Sequence, residues 1–225
     1  MDNIDSPLRL IRSYVKREGR FTPAQRKAIE SFWSVYGLEL DGGLLDFQRD
    51  FKNFSKIVLE IGFGNGETLF EMATQAPKDL FIGVEVYRSG VGRLLKKAFE
   101  QQLKNLRVFN ADALDVLAQC IPEHSLDRVQ IFFPDPWRKK RHHKRRLIKK
   151  DFLLLLSRKL KRGGILHIAT DWENYAEQIR ALLEQMSEFH ELTDSKEAML
   201  RPRTKFEKRG EKLGHSIHDF VFAKS

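Results

Sequence analysis

The sequence predicts an α/β fold in which a mostly parallel sheet carries helices on both faces, and three observations predict it. From Lys56 onward, short runs rich in β-branched and aromatic residues alternate with segments of helical periodicity. The first of those runs ends in a glycine turn, Gly62-Phe63-Gly64-Asn65-Gly66, after which a helical pattern begins. The length of 225 residues suits one such domain with an appended arm, and a hydrophobic fraction of 41% supplies a full core.

Residues 1 to about 50 read as a basic arm followed by a helix. Thr22 offers a capping hydroxyl and Pro23 a preset φ at the first helical position, after which Ile29, Phe32 and Trp33 recur at helical spacing. Asp41-Gly42-Gly43 marks a turn. The alternation then predicts five strand and helix pairs: 57–61 with 68–74, 80–86 with 91–103, 106–109 with 114–118, 126–133 with 152–160, and 164–169 with 174–186. From residue 188 a basic loop leads to a last apolar segment, Ile217 to Phe222, expected to return as an antiparallel strand. Without repeats or low-complexity linkers, the expected division is residues 1–50 as arm and helix and residues 51–225 as the main domain.

Composition narrows the classes of function. The single Cys120 excludes an intrachain disulfide, and the N-terminal stretch with Asp2 and Asp5 lacks the basic-then-apolar pattern of a signal peptide. The longest aliphatic run, Phe152 to Leu156, is too short to span a bilayer, so a soluble protein of a reducing, cytoplasmic compartment is expected. Forty Lys+Arg against 31 Asp+Glu give a net charge of +9, which points to a polyanionic partner because the excess is clustered. Arg9, Arg12, Lys16, Arg17 and Arg20 lie in the arm, and Arg138 to Lys150 holds nine Lys/Arg and two His without one acid. Arg201 to Lys212 holds six Lys/Arg against two Glu. No apolar stripe accompanies the central run, which argues against a membrane as its partner.

In open α/β sheets ligands bind beyond the carboxyl ends of the strands, so the strand ends carry the chemistry. The first strand ends in Glu60-Ile61 and then Gly62, Gly64 and Gly66, a Gly-x-Gly-x-Gly turn that is neither the dinucleotide fingerprint nor a phosphate loop. The second ends in Gly83-Val84-Glu85-Val86, a carboxylate about twenty residues further on that suits a ribose diol. The third ends at Asp112, either a helix N-cap or a group facing a purine amino function. Together these describe an adenosine pocket without a pyrophosphate cradle, which S-adenosylmethionine fits better than NAD does.

The fourth strand ends in Phe132-Phe133-Pro134-Asp135-Pro136-Trp137, and the basic run starts at once with Arg138. Pro136 keeps Asp135 out of helical conformation at the strand tip, and Trp137 offers a flat face for a base. Asp-Pro is also a common turn and Trp a common core residue. The adjoining cationic strip favours a site that holds one nucleobase while its phosphates are gripped outside.

These motifs, with Thr170-Asp171-Trp172 and Arg201-Pro202-Arg203-Thr204-Lys205-Phe206-Glu207, resemble the bacterial tRNA (guanine-N7)-methyltransferases from about Arg12 to the end of the chain. The resemblance implies a Rossmann-like class I methyltransferase with a seven-stranded sheet, S-adenosylmethionine as donor and N7 of guanosine 46 in the tRNA variable loop as acceptor. On the matching positions it implies Glu60, Gly62, Gly64, Gly66, Glu85, Asp112 and Asp135 for the donor, with Asp135 also catalytic. It implies Lys139, Asp171, Thr204, Lys205, Phe206 and Glu207 for the substrate, and Arg141, His142, His143, Lys144, Arg145 and Arg146 for RNA contact. Arg138 departs from the family pattern, which has His or Pro there.

Methyl transfer from a sulfonium is an in-line displacement, so positioning and electrostatics carry the catalysis. Guanine N7 has a lone pair and no proton, so no general base is needed and no metal is required. His215 and His218 lack a convincing further metal ligand. Two rivals are open. An amino-group methyltransferase would carry Asp-Pro-Pro-aromatic, whereas here Pro precedes the Asp and the second Pro is absent. A non-enzymatic RNA binder would have no reason to place four strand-end carboxylates near an RNA it must attract. Oligomeric state is not legible in the sequence.

Overall fold

Thr22 and Gln25 form a reciprocal cap: the Gln25 N–H donates to Thr22 Oγ1 at 3.3 Å and the Thr22 N–H to Gln25 Oε1 at 2.8 Å. With Pro23 at its start, this fixes the first helix where the sequence places it. The computed structural model describes residues 13–14, 21–192, 202, 207 and 216–225.

The elements are α1 (Pro23–Tyr36), β1 (Gly37–Leu38), α2 (Phe47–Asp50), β2 (Ile57–Ile61), α3 (Glu67–Gln75), β3 (Leu80–Val84) and α4 (Arg88–Glu100). They continue as β4 (Leu106–Phe109), α5 (Ala113–Gln119), β5 (Leu126–Phe132), a 3-10 turn (Lys140–Arg145), α6 (Lys150–Lys159) and β6 (Leu160–Thr170). The chain ends with α7 (Glu173–Glu184), β7 (Phe189–Glu191) and β8 (His218–Lys224).

The sheet order is β1-β4-β3-β2-β5-β6-β8-β7, parallel except where β8 runs antiparallel to β6 and β7. The resemblance implies seven strands, whereas among the described residues the sheet has eight. One of them is the two-residue β1, which α1 delivers to the free edge of β4. The order reverses at β2, whose neighbours β3 and β5 lead away in opposite directions. A ligand crevice therefore opens beyond the carboxyl ends of β2 and β5.

Period-two alternation sorts the side chains into two cores. Leu59, Ile61, Val129, Ile131, Leu166 and Ile168 pack on one face against Val116 of α5, Leu153 of α6 and Ile179 of α7. Val58, Phe81 and Val108 pack on the other against Leu69 and Met72 of α3 and Leu94 and Leu95 of α4. α1 extends that second layer: Phe32 stacks on Phe99 of α4 with centroids 4.1 Å apart. Gly92 permits the approach, since a Cβ there would lie 2.4 Å from the Gln25 carbonyl oxygen. Among the described residues no helix is long and apolar enough to cross a membrane.

Candidate active site

The turn after β2 uses glycine where the backbone demands it. Gly62, Gly64 and Gly66 have φ of 76°, 56° and 73°, a left-handed conformation that costs an L side chain about 1–2 kcal/mol. The turn is tied to the tip of β3 by Glu85. Its Oε2 accepts the Gly64 N–H at 2.8 Å, and its Oε1 accepts the Val86 and Tyr87 N–H groups at 2.7 and 3.0 Å. Burial raises the Glu85 carboxyl above the ordinary glutamate value, against the lowering effect of those three bonds.

Gly62, Glu85, Asp112 and Asp135 line one pocket, together with Phe132, Phe133, Ser13 and Tyr14. Asp112 is the N-cap of α5, its carboxylate accepting the Leu114 N–H at 3.0 Å, and it also lines the pocket. Asp135 is exposed at the tip of β5, where its Oδ1 accepts the Trp137 N–H at 2.9 Å. That Asx-type turn orients one carboxylate oxygen and leaves the other for a ligand. The pocket carries three carboxylates and, among the described residues, no lysine or arginine. Such a lining favours a cationic ligand with hydroxyl groups and disfavours a phosphate. A Cβ on Gly62 would meet nothing within 4 Å and would occupy the open space of the turn.

Residues 42–220 match the family described as "Putative methyltransferase". A tRNA (guanine-N(7)-)-methyltransferase of Nitrosococcus oceani is 52% identical over 217 residues, covering 96% of this chain and 92% of that one. Another, of Pseudoalteromonas translucida, is 49% identical over 222 residues, covering 97% of this chain and 92% of that one. The chain belongs to the tRNA (guanine-N7)-methyltransferase family. Among solved structures, 16S rRNA methyltransferase KamB matches with a TM-score of 0.54 and 14% identity over 93% of this chain and 97% of that one, a likeness of fold alone.

In this member of the tRNA (guanine-N7)-methyltransferase family, the expected donor residues divide. Glu60 does not join the pocket-lining carboxylates. It is 3% exposed and its carboxylate accepts from Gln130 Nε2 at 2.7 Å, beside Met72. Burial, with Glu85 nearby, raises its carboxyl to about 7, despite the Gln130 bond. Gly64 and Gly66 act through their backbone: Gly64 binds Glu85, and Gly66 begins α3.

Lys139 and Asp171, expected on the substrate side, follow the tips of β5 and β6. Asp171 is half-buried in the turn after β6, where Thr170 Oγ1 accepts the Trp172 N–H at 3.3 Å. Lys139 is exposed at the start of the basic 3-10 turn. Arg138, whose role the sequence left open, places its guanidinium 4.8 Å from the Trp172 ring centre and so joins the two tips. Thr204, Lys205 and Phe206 lie outside the described residues; Glu207 is helical and buried.

The basic run is not uniform. Arg141 and Lys144 are exposed, and Arg145 stands 5.0 Å over the Trp137 ring. His142 meets the same ring edge-on, and slight desolvation followed by its cationic neighbours lowers its pKa. Trp137 is therefore already engaged by Arg145 and His142, and its indole N–H donates to the Ser13 carbonyl at 3.1 Å. Arg146 departs from its expected place among RNA contacts: it is turned inward and 2% exposed. His218 pairs with Glu173 at 3.0 Å.

Sequence reasoning missed the contribution of Ser13 and Tyr14 to the pocket and the inward turn of Arg146. The first had one visible signal, an indole N–H that needs an acceptor when half-buried. The second had none, because Arg145 and Arg146 are adjacent residues of one type.

Proposed function

We propose that this chain transfers the methyl group of S-adenosylmethionine to N7 of a guanosine in tRNA, guanosine 46 of the variable loop. The observation that carries the reading is the pocket whose charged groups, among the described residues, are Glu85, Asp112 and Asp135, opening beside the basic run. The pocket suits a ligand with a sulfonium, an ammonium and a ribose diol, and the run suits a polyanion. Family membership over nearly the whole chain supports the same activity. Residues 51–225 form the proposed catalytic domain of a cytoplasmic enzyme, with residues 1–50 as arm and helix, of which α1 packs on α4 through Phe32 and Phe99.

Bound in this pocket, S-adenosylmethionine supplies an electrophilic methyl group. Glu85 holds the glycine turn and keeps an acceptor for the ribose, while Asp112 faces the adenine side. Asp135 presents its free oxygen to the guanine, where positive charge grows as N7 gains a third bonded neighbour through its lone pair. No side chain has to remove a proton from N7, so the chain needs no general base for the bond-forming step. By the resemblance, Asp171, Thr204, Lys205, Phe206 and Glu207 serve the guanosine, while Lys139, Arg141, His142, His143, Lys144 and Arg145 meet phosphates.

The deciding experiment is methylation of an unmodified tRNA by the purified protein, with nucleoside mass spectrometry as readout. N7-methylguanosine that disappears when guanosine 46 is replaced by adenosine is the expected result. Methyl transfer to an exocyclic amine, or to another guanosine, would overturn the assignment.

A further inference from the structure

Arg141–Arg146 are six consecutive Arg, Lys and His residues, yet the last of them is among the largest fully buried side chains of the described residues. We infer that Arg146 is a positioning residue that fixes the Asp135 tip against α7, and is not a phosphate contact; the inference rests on the methyl-transfer reading above.

A guanidinium has five N–H donors and no acceptor. In Arg146 all of them are engaged within the fold. Nε donates to the Pro136 carbonyl at 2.9 Å. Nη1 donates to Gln178 Oε1 at 2.6 Å and to the Asn174 carbonyl at 3.5 Å. Nη2 donates to Asn174 Oδ1 at 2.9 Å and meets His143 Nε2 at 3.1 Å. Arginine can only donate, so His143 Nε2 is the acceptor there and the ring proton sits on Nδ1. The planar face lies 4.7 Å from the Tyr175 ring centre, and Tyr175 in turn accepts the Ile148 N–H at 3.0 Å. A phosphate could bind Arg146 only by displacing one of these partners.

The partners explain what the enclosure does. Pro136 follows Asp135 in the chain, so the bond from Nε holds the peptide beside the proposed catalytic carboxylate. Asn174 and Gln178 belong to the first turns of α7, which starts after Thr170-Asp171-Trp172. One side chain thus spans the tips of β5 and β6, the two strand ends that bring Asp135 and Asp171 to the substrate. In-line displacement is sensitive to such spacing, because an error of about 1 Å in a reacting geometry can cost 100-fold in rate. The sixfold run divides accordingly, into outward cations that meet RNA and one inward cation that sets distance.

Two variants separate the roles. Arg146→Met removes the charge and all five donors but keeps apolar contact with Tyr175. Asn174→Ala combined with Gln178→Ala keeps the charge of Arg146 and removes its side-chain acceptors on α7. Single-turnover rates at saturating tRNA and donor are measured with tRNA affinity from 50 to 300 mM salt, donor affinity and melting temperature. We expect both variants to lose at least tenfold in rate, while tRNA affinity and its salt slope stay at the wild-type values. A phosphate contact would give the opposite pattern in Arg146→Met: a slope reduced by about 0.9, weaker binding and an unchanged saturated rate. If Arg146→Met does not fold, the double variant decides, and an unchanged rate there overturns the proposal. Binding and slope are read without turnover, so an error in the methylated atom leaves this test standing. A wild-type protein that methylates no RNA overturns the reading on which the proposal rests.

Discussion

Glu85 Oε2 accepts the backbone N–H of Gly64 at 2.8 Å, joining the tip of β3 to the glycine turn after β2 across 21 residues of sequence. The acid expected to serve a ribose thus also shapes the wall of the pocket. Glu85→Ala leaves three backbone N–H groups without their acceptor and takes away a charge-assisted contact, each such bond contributing roughly 1.5–3 kcal/mol. Calorimetric donor affinity is expected to fall at least tenfold and the melting temperature to fall with it. Normal donor binding by the variant would place the ribose elsewhere.

Asp135→Asn isolates the charge. The amide oxygen of Asn can still accept the Trp137 N–H, so the turn at the strand tip survives while the carboxylate is lost. The single-turnover rate is expected to drop about 100-fold or more, with tRNA affinity little changed. Because N7 releases no proton, the wild-type rate should stay flat from about pH 7 to 9. A rate that climbs tenfold per pH unit would identify proton abstraction and another acceptor atom.

The outward cations should govern RNA affinity. Changing Arg141, Lys144 and Arg145 together to Ala is expected to reduce the slope of log affinity against log salt by about 2 to 3 and to raise KM for tRNA. Donor affinity should hold. A slope equal to that of the wild type would move the RNA-binding face away from this turn.

Glu60 makes stability depend on pH. Its carboxyl is raised from 4.5 to about 7 by burial, so between those values the folded chain binds more protons than the unfolded one. Stability contributed by this site therefore falls as pH rises across that window, by on the order of 3 kcal/mol. Glu60→Gln removes the dependence, and the new amide can donate toward Gln130 Oε1, which has no hydrogen-bond partner among the described residues. Relative to wild type, the variant should gain about 5 °C or more in melting temperature between pH 5 and pH 8. The same difference at both pH values would show that Glu60 is ionised throughout.

Most of the sheet was legible because its strands are long enough to show a pattern. Leu106–Phe109 forms as expected, and the last apolar segment returns antiparallel to β6, pairing Phe220 with Ile168. β1 and β7, of two and three residues, are too short for any periodicity to reveal. The expected helix at 91–103 starts earlier, at Arg88, because Tyr87 supplies a cap position without a capping side chain to announce it. In the site, Glu85, Asp112 and Asp135, singled out by their strand-end positions, line one pocket, since topology alone brings the carboxyl ends of parallel strands together. Side-chain direction was not legible. Glu60 lies one residue before Ile61, and that single step in a period-two strand separates the pocket-lining position from the buried layer beside Met72.

The contact between Gly92 and Gln25 also determines where the chain can be shortened. A polypeptide cut at the start of the family match, residue 42, would lose α1 and β1 together. Phe99 would lose its stacked partner Phe32, and the outer edge of β4 would offer its backbone groups to any passing strand. The smallest self-sufficient unit of this protein therefore extends beyond residues 42–220 and begins no later than the Thr22 cap.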